Sequence, residues 1–453
     1  MKELKNLASF VANISLDQVP EKAIQAAISC VYDSMAVAMG AKQDALYKSI
    51  QELYLKTEDV THEQAELLGD GRKASLRTAV FLNAMIGHIL EMDDVHTNSK
   101  THIGTVVVPT AWTVARYLHK SGRAFLEAVI AGYEAEARIG TGFGVSSHRN
   151  LGWHATGTAG TFGAAAACGR LCNLTDKEML SAFGLAGTQS CSTWAFLADG
   201  ATNKILHPAR AAVSGLEAVL LTKAGMRGSA EILNAADGGI FPMMSREYSY
   251  AAVDHQLGQS WEIENVDKKP YPCCRSTHCV IDAAIQLRKD CPIEDIEHVA
   301  VATYLVGLKQ CGMTETSKNP QLPTEAKFST PYTAACAFIN GNITLDDFTP
   351  NAIQDPRRQA LLKKITVTEE PALTALYPDN WGCKMTVTLK SGEKHSIYIK
   401  NASGSVTSPL TTAQLEIKAM ACLKIYDKER AAQFLKTLQQ IAVLPDLPSA
   451  QLS

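Results

Sequence analysis

Residues 157–169 read Gly-Thr-Ala-Gly-Thr-Phe-Gly-Ala-Ala-Ala-Ala-Cys-Gly, and this run of small residues decides the fold. Alanine favours a helix, whereas each glycine in a helix interior costs about 1 kcal/mol relative to alanine. A helix with several glycines must recover that energy by packing its backbone closely against other helices. A flexible glycine-rich loop is the alternative, and the block of four alanines disfavours it. We therefore predict a tight multi-helix core around residues 156–170.

The chain on either side of this run also has helical patterns. Residues 20–39 carry apolar side chains at helical spacing, with Pro20 suited to the first helical position and Gly40 to a C-terminal cap. Thr175 and Glu178 have the spacing of a capping box, which predicts a helix over residues 176–186. The tail from Thr411 to about residue 440 is helical again.

Beyond about residue 265 the pattern becomes partly β. Four short stretches are rich in β-branched residues, and helical segments lie between them. The predicted strands are residues 298–306, 364–368, 384–389 and 395–399, and the predicted helices are residues 277–289 and 329–340. Ser391-Gly392 separates the last two strands as a hairpin turn would. The predicted fold is mostly α, with a large all-helical domain (residues 1–265 plus 405–453) and a smaller α+β lid domain (residues 266–404).

Composition excludes several classes of function. The 453 residues carry a formal charge of −3, without the basic excess typical of a nucleic-acid-binding protein. No run of about 18 apolar residues predicts a membrane helix, and the charged N-terminus does not resemble a signal peptide. The twelve cysteines lie mostly in apolar runs, which indicates reduced thiols and a cytoplasmic protein.

Two segments place histidines among acids or small residues. Glu91-Met-Asp-Asp-Val-His-Thr-Asn-Ser-Lys-Thr-His102 offers Asp94 and His102 for acid/base work, although a solvated loop is an alternative. His154 precedes the glycine/alanine helix, where the helix dipole keeps an imidazole neutral and free N–H groups favour an anion. A capping or core histidine is the alternative there.

Two further segments supply cations. Residues 202–212 contain Lys204 and His207 ahead of an apolar helix, although charges at a helix start are often only surface groups. Residues 268–278 contain Lys269, Arg275 and His278 in a proline-rigidified stretch, and arginine binds carboxylates bidentately. Histidines together with Lys204, Lys269 and Arg275 predict a site for a small polycarboxylate whose reaction begins with a proton transfer.

Metal and cofactor motifs are missing from the sequence. Cys273-Cys274 has no second cysteine pair at zinc-site spacing. Asp94, His96, His102 and His154 are a candidate ligand set, but there is no HExxH spacing and lysines and arginines are interleaved. No dinucleotide-binding GxGxxG, P-loop or GxSxG elbow is present. We therefore predict neither a metal nor an organic cofactor.

The four segments, in this order, resemble the MmgE/PrpD family. The matching motifs are Met92-Asp-Asp94 through His102, Gly152-Trp-His154, Lys204-x-x-His207, Lys269-Pro-Tyr-Pro-Cys-Cys-Arg-x-Thr-His278 and Glu325-Ala-Lys-Phe-Ser329. The family contains 2-methylcitrate dehydratases, cis-aconitate decarboxylases and iminodisuccinate epimerases. The resemblance implies an all-helical domain with a smaller α+β lid, a homodimer, and catalysis without a cofactor.

Carried over position by position, the resemblance points to Asp94, His102, His154 and Lys204 as catalytic. It points to residues of the 269–278 stretch, with His207, as substrate-binding. Decarboxylating members have a tyrosine shortly before the segment matching Glu325–Ser329, and residues 312–320 contain none. Dehydration of a 2-methylcitrate-like acid is therefore favoured, ahead of epimerisation of a substituted succinate and decarboxylation of cis-aconitate. Outside the family, a metal-dependent hydrolase or a non-catalytic helical dimer are the alternatives.

Overall fold

A computed structural model describes residues 1–58 and 64–452. The chain forms two compact units. The first consists of residues 1–194, 205–267 and 411–453, and the second of residues 195–204 and 268–410. The longer part of the second unit runs from residue 268 to residue 410, whereas the sequence predicted a lid domain over residues 266–404. Residues 195–204, which the sequence assigns to the helical domain, belong to the second unit.

The first unit is almost entirely helical. Its helices are α1 (Lys2–Ala12), α2 (Glu21–Gly40), α3 (Ala45–Thr57), α4 (Leu76–Ile86), α5 (Ile103–Tyr117), α6 (Gly122–Gly142), α7 (Val145–Asn150), α8 (Ala155–Leu171), α9 (Asp176–Gly187), α10 (Leu206–Lys223), α11 (Ile240–Met244), α20 (Thr412–Cys422) and α21 (Lys428–Gln439). Its strands are two antiparallel pairs of two residues each: β1 (Ala65–Glu66) with β2 (Lys73–Ala74), and β3 (Val95–His96) with β4 (Val266–Asp267).

Helix α8 is the centre of this unit and contains the glycine/alanine run. It packs against α5, α6, α9 and α10, and all but two of its residues are buried. A Cβ added at Gly163 would lie 2.8 Å from the Cβ of Glu136 on α6, and one at Gly215 on α10 would lie 2.4 Å from the Cβ of Ala164. The glycines therefore let the backbones approach closely, and the predicted multi-helix core is confirmed.

Two predicted helix boundaries are also confirmed. Helix α9 begins with the Thr175/Glu178 capping box, in which both reciprocal hydrogen bonds are present. Helix α2 runs from Glu21 to Gly40, with Pro20 as its N-cap residue. Helix α2 has the length and hydropathy of a membrane span, but 72 % of its apolar window is buried inside the protein. It is thus a core helix that packs against α5.

The second unit contains a four-stranded sheet packed with short helices. Its strands are β5 (Ile296–Thr303), β6 (Ile365–Glu369), β7 (Cys383–Leu389) and β8 (Lys394–Ile399), in the order β6-β5-β7-β8. Its helices are α12 (His278–Leu287), α13 (Leu305–Cys311), α14 (Glu315–Lys318), α15 (Pro323–Lys327), α16 (Thr330–Asn340), α17 (Pro350–Ile353), α18 (Pro356–Leu362) and α19 (Pro371–Leu376). Strands β5 and β6 are parallel, and the other pairs are antiparallel. Strands are present at all four predicted places and the hairpin at Gly392 is confirmed, but the first strand ends at Thr303, and Leu305 and Val306, predicted as strand, begin α13.

Candidate active site

Four buried histidines come together in the first unit, each at the end of a helix. His88 lies in the turn after α4, His102 and His154 are the N-cap residues of α5 and α8, and His207 lies in the first turn of α10. The ring centroids are 4.8 Å apart for His88 and His102, and 5.0 Å apart for His154 and His207. Between the two pairs, the ring centroids of His102 and His154 are 6.3 Å apart. We call these four residues the histidine cluster.

The carboxylate of Asp93 holds the first pair. Its Oδ2 lies 2.7 Å from His88 Nδ1 and 2.9 Å from His102 Nδ1. His102 Nδ1 also lies 2.9 Å from the backbone oxygen of Asp94. Carboxylate and carbonyl oxygens only accept hydrogen bonds, so both Nδ1 atoms carry a proton. In the neutral rings the basic lone pair is then on Nε2, and Nε2 of His88 is buried without a hydrogen-bond partner.

The second pair is held by an imidazole–imidazole contact. His154 Nδ1 lies 2.8 Å from His207 Nδ1, so one ring donates a hydrogen bond to the other. The backbone N–H of His154 donates to the carbonyl of Ser192, and Trp194 packs edge-on against the imidazole at 4.6 Å. A Cβ at Gly157 would lie 2.0 Å from Ser192 Oγ, so glycine is required where this loop meets α8.

Asp94 has a different environment from its neighbour. Its carboxylate accepts hydrogen bonds from Tyr133 Oη at 2.6 Å and from the backbone N–H of Gly104 at 2.8 Å. The second of these bonds satisfies an N–H group in the first turn of α5. Asp94 therefore contacts His102 through its backbone carbonyl, while the carboxylate anchors the start of α5.

A buried carboxyl group, Glu136, and a buried phenol, Tyr133, lie near Asp94. Burial, with Asp94 nearby, raises the pKa of both Glu136 and Tyr133 well above their ordinary values. Both carboxyl oxygens of Glu136 are buried without a hydrogen-bond partner. Burial and the nearby Asp94 thus both favour the neutral form of Glu136.

The second unit holds the predicted cations. Lys204 is buried, and its Nζ lies 5.1 Å from the ring centroid of Phe328, which packs against Phe196. A cation over an aromatic face is stabilised by the ring quadrupole. Lys269 is fully buried and follows β4 by two residues. These lysines are thus removed from bulk solvent. In such a buried environment their charges interact more strongly with an anion than they would in water.

Arg275 and His278 form a fixed pair in the same unit. Arg275 Nη1 donates to the carbonyl of Ser403 at 2.9 Å and lies 3.1 Å from His278 Nδ1. His278 Nε2 lies 3.3 Å from the carbonyl of Cys273. The imidazole therefore carries its proton on Nε2 and accepts from the guanidinium at Nδ1. The predicted rigid presentation of Arg275 agrees with these contacts.

Family models match both units of the chain. The MmgE/PrpD N-terminal domain matches residues 5–251, and the MmgE/PrpD C-terminal domain matches residues 271–441. The chain belongs to the MmgE/PrpD family. The family resemblance predicted from the sequence motifs is confirmed.

Curated relatives of this MmgE/PrpD protein carry two kinds of name. The cis-aconitate decarboxylase-like protein oryM of Aspergillus oryzae is 26 % identical over 66 % of this chain and 66 % of its own length. The cis-aconitate decarboxylase of Aspergillus terreus is 25 % identical over 80 % of this chain and 77 % of its own. The 2-methylcitrate dehydratase of Escherichia coli K12 is 28 % identical over 46 % and 43 %. The chain is therefore similar to both decarboxylases and dehydratases.

The structure adds two residues to those predicted from the motifs. His88 ends an apolar stretch, and nothing in its spacing marks it as a partner of His102. Asp93 lies in the predicted acidic segment, but only the backbone geometry shows which of the two adjacent aspartates contacts the imidazoles. His96, named as a possible ligand, instead contacts Ser99 through Nδ1 and Glu262 through Nε2.

A fifth histidine of the first unit gives a pH test of the packing. Burial lowers the pKa of His148 to about 4. Nδ1 contacts the carbonyl of Met244, and Nε2 accepts from Thr158 Oγ1, which suits the neutral ring. An unfolded histidine titrates near 6.5, so the unfolded state alone gains a proton between about pH 6.5 and 4, and acid removes stability there.

We expect the free energy of unfolding to fall by roughly 2 kcal/mol from pH 7 to pH 5 on account of His148 alone. In His148→Gln, chemical denaturation at the two pH values should show a fall in the free energy of unfolding that is smaller than in the wild type by roughly 2 kcal/mol. His119→Gln, an exposed site, serves as the control. An equal pH dependence in wild type and His148→Gln would contradict the assignment.

Proposed function

We propose that this protein is a cofactor-independent lyase that acts on a small di- or tricarboxylate, with dehydration of a 2-methylcitrate-like hydroxy acid as its reaction. The proposal is supported most directly by the contact of one carboxylate, Asp93, with both His88 and His102. Family membership and the decarboxylase and dehydratase relatives make the chain an enzyme of the lyase or isomerase type.

The reaction needs a base and an acid at one substrate. A proton next to a carboxylate is weakly acidic, so its removal requires an oriented base and neutralisation of the carboxylate. His102 is the proposed base, because Asp93 fixes its tautomer and stabilises the imidazolium that forms. The electron pair of the broken C–H bond forms the new double bond as hydroxide leaves from the adjacent carbon.

His154 is the proposed acid that protonates the departing hydroxyl. Its contact with His207 allows it to regain a proton from a neighbouring ring. The two functional rings lie 6.3 Å apart, a separation that suits groups acting on adjacent carbons of one molecule. Asp94, predicted as a catalytic residue, is proposed instead to position His102 through its carbonyl and the start of α5.

Cations of the second unit are proposed to bind the substrate carboxylates. Lys204, Lys269 and Arg275 supply the positive charges that such an acid requires, with His278 fixing Arg275. Electrostatic stabilisation of the developing charge is usually the largest contribution to catalysis of this kind.

Decarboxylation of cis-aconitate is the second candidate. It is favoured by the decarboxylase relatives, which align with up to 81 % of this chain, whereas the E. coli dehydratase aligns with 46 %. The absence of tyrosine from residues 312–320 favours dehydration. Epimerisation of a substituted succinate would use the same two imidazoles on opposite faces of one carbon.

A substrate panel distinguishes these reactions. Protein treated with a chelator is incubated with 2-methylcitrate, cis-aconitate and a substituted succinate. Absorbance of the new double bond reports dehydration, carbon dioxide release reports decarboxylation, and chiral chromatography reports epimerisation. Turnover of 2-methylcitrate after chelation supports the proposal. Activity that requires added metal would favour a hydrolase, and no turnover or thermal shift with any acid would favour a non-catalytic protein.

Lys204 gives a test of carboxylate binding. We expect Lys204→Ala to raise KM by about ten- to a hundredfold, the equivalent of one charged hydrogen bond of roughly 1.5–3 kcal/mol. Steady-state kinetics on the turned-over acid provides the measurement. Lys223→Ala, at the exposed end of α10, is the matched control. Unchanged KM and kcat in Lys204→Ala would remove this lysine from the binding residues.

The homodimer and cytoplasmic location predicted from the sequence are kept as part of the proposal. Light scattering on the purified chain measures the first, and fractionation of the source cells measures the second.

A further inference from the structure

Three members of the histidine cluster have a second capability. One ring nitrogen from each of His88, His102 and His154 lies within 4.8 Å of the others. All three side chains are strongly buried, with exposures of 0 %, 9 % and 2 %. From the sequence, we considered a ligand set of Asp94, His96, His102 and His154 and predicted no metal. The structure places His88 with His102 and His154 instead.

The surrounding contacts orient these rings as metal ligands. Asp93 accepts from Nδ1 of His88 and lies 2.9 Å from Nδ1 of His102, which donates to the carbonyl of Asp94, so that both Nε2 lone pairs point away from these oxygens. Nδ1 of His154 lies 2.8 Å from Nδ1 of His207, and in the tautomer in which His154 donates to His207 its lone pair is on Nε2. Imidazoles that ligate metals usually donate their other N–H to a carboxylate, a carbonyl or water, which fixes the tautomer and raises ligand basicity. Nε2 of His88 is buried with no hydrogen-bond partner, so a cation would satisfy it.

We propose that His88, His102 and His154 bind one borderline divalent metal ion such as Zn²⁺, and that this ion inhibits the enzyme. Three imidazoles with an open fourth position are a common zinc environment, and oxygen-preferring Mg²⁺ and Ca²⁺ are excluded by the nitrogen donors. Zinc–nitrogen bonds of about 2.0–2.1 Å in a tetrahedron require donor separations of roughly 3.4 Å. The present donors lie within 4.8 Å of one another, so binding requires the three rings to move closer together. The negative charge of Asp93 offsets part of the charge of the ion.

Inhibition follows from the lone pairs that the metal uses. A bound ion occupies Nε2 of His102, which then cannot accept a proton, and it holds His154 in the neutral form. This part of the inference rests on the proposed function, whereas metal binding itself does not. The protein is thus expected to be active without metal and reversibly inhibited by zinc.

Zinc binding is measured first, on the full chain without substrate. Calorimetry with ZnCl₂ is expected to show one site per chain, weakened at least tenfold in His88→Asn. Asparagine retains a donor for Asp93 but lacks the Nε2 ligand. His119→Gln, whose ring is exposed, should bind zinc as the wild type does. X-ray absorption of the zinc-loaded wild-type protein should show three imidazole ligands and no sulfur, which tests the site even if His88→Asn fails to fold.

Turnover is measured second, with and without zinc. Activity after chelation that falls on adding one equivalent of zinc and returns with chelator supports the inference. Thiolate ligands, or affinity unchanged in folded His88→Asn, would overturn the site. Two outcomes would overturn the inhibition by zinc. The first is activity that requires zinc, and the second is turnover that is the same with and without zinc bound at this site. A wild-type protein that binds zinc through three imidazoles but turns over no acid would contradict the proposed function and not the metal site.

Discussion

Replacing Asp93 with asparagine is expected to lower kcat by about 10²–10⁴-fold and to change KM little. The side chain keeps its size, so the packing around it is preserved. An amide oxygen cannot compensate the positive charge that develops on His102 as it accepts a proton. An amide N–H placed against either Nδ1 would also force the wrong tautomer and remove the lone pair from Nε2. Steady-state kinetics at saturating substrate, with circular dichroism as a check on folding, gives the measurement.

Asp94→Asn is the matched comparison, because the two aspartates are adjacent and both buried. Asparagine at this position still offers an oxygen to the Gly104 N–H, and the backbone carbonyl that contacts His102 is unchanged. We therefore expect a much smaller loss of kcat than in Asp93→Asn. The opposite ranking would return the catalytic role to Asp94, as the sequence motif predicted.

Gly215→Ala is expected to destabilise the protein by about 2–3 kcal/mol. The new Cβ would lie 2.4 Å from the Cβ of Ala164 and 2.5 Å from the backbone nitrogen of Ala165. These atoms belong to α8, the central helix of the first unit, so relief requires α8 and α10 to move apart. That strain outweighs the gain of about 1 kcal/mol that alanine brings to a helix interior. Equilibrium unfolding in urea measures the difference.

Gly160→Ala is the control within the same helix packing. Its Cβ would lie 3.1 Å from methyl groups of Ala211 and Val106, a contact that is relieved when the neighbours move by only a few tenths of an ångström. The helix-propensity gain then offsets the crowding, and we expect a change within about 1 kcal/mol of wild type. A loss in Gly160→Ala as large as in Gly215→Ala would show that the contact geometry does not set the cost.

Local chemistry in the sequence predicted much of the architecture. The Thr175/Glu178 box set the start of α9, and alternating β-branched residues located β5 through β8. The glycine/alanine run predicted a close helix core because close packing between helices is one of the few ways to recover the free energy that its glycines cost a helix. Each of these features is decided by neighbouring residues, so no knowledge of distant contacts was needed.

Features set by distant contacts could not be predicted in the same way. In the sequence, His88 looks like the end of an apolar helix. Its contact with Asp93 depends on the path of the turn between the two residues. Residues 195–204 have no pattern that distinguishes them from the helical segments around them, yet they pack in the second unit through Phe196 and Lys204. Which of Asp93 and Asp94 faces the imidazoles is a matter of backbone direction, which residue types do not encode.

The division of the chain bears on how such an enzyme can diversify. Every imidazole of the cluster belongs to one independently packed core, whereas Lys204, Lys269 and Arg275 belong to the other. Under the proposed roles, substitutions that alter which acid is recognised can accumulate in the second core without repacking the glycine-lined helices that hold the histidine cluster. Under the proposed function, proton transfer and acid recognition therefore depend on two different cores, which would let substrate choice diverge while the histidine cluster is inherited unchanged.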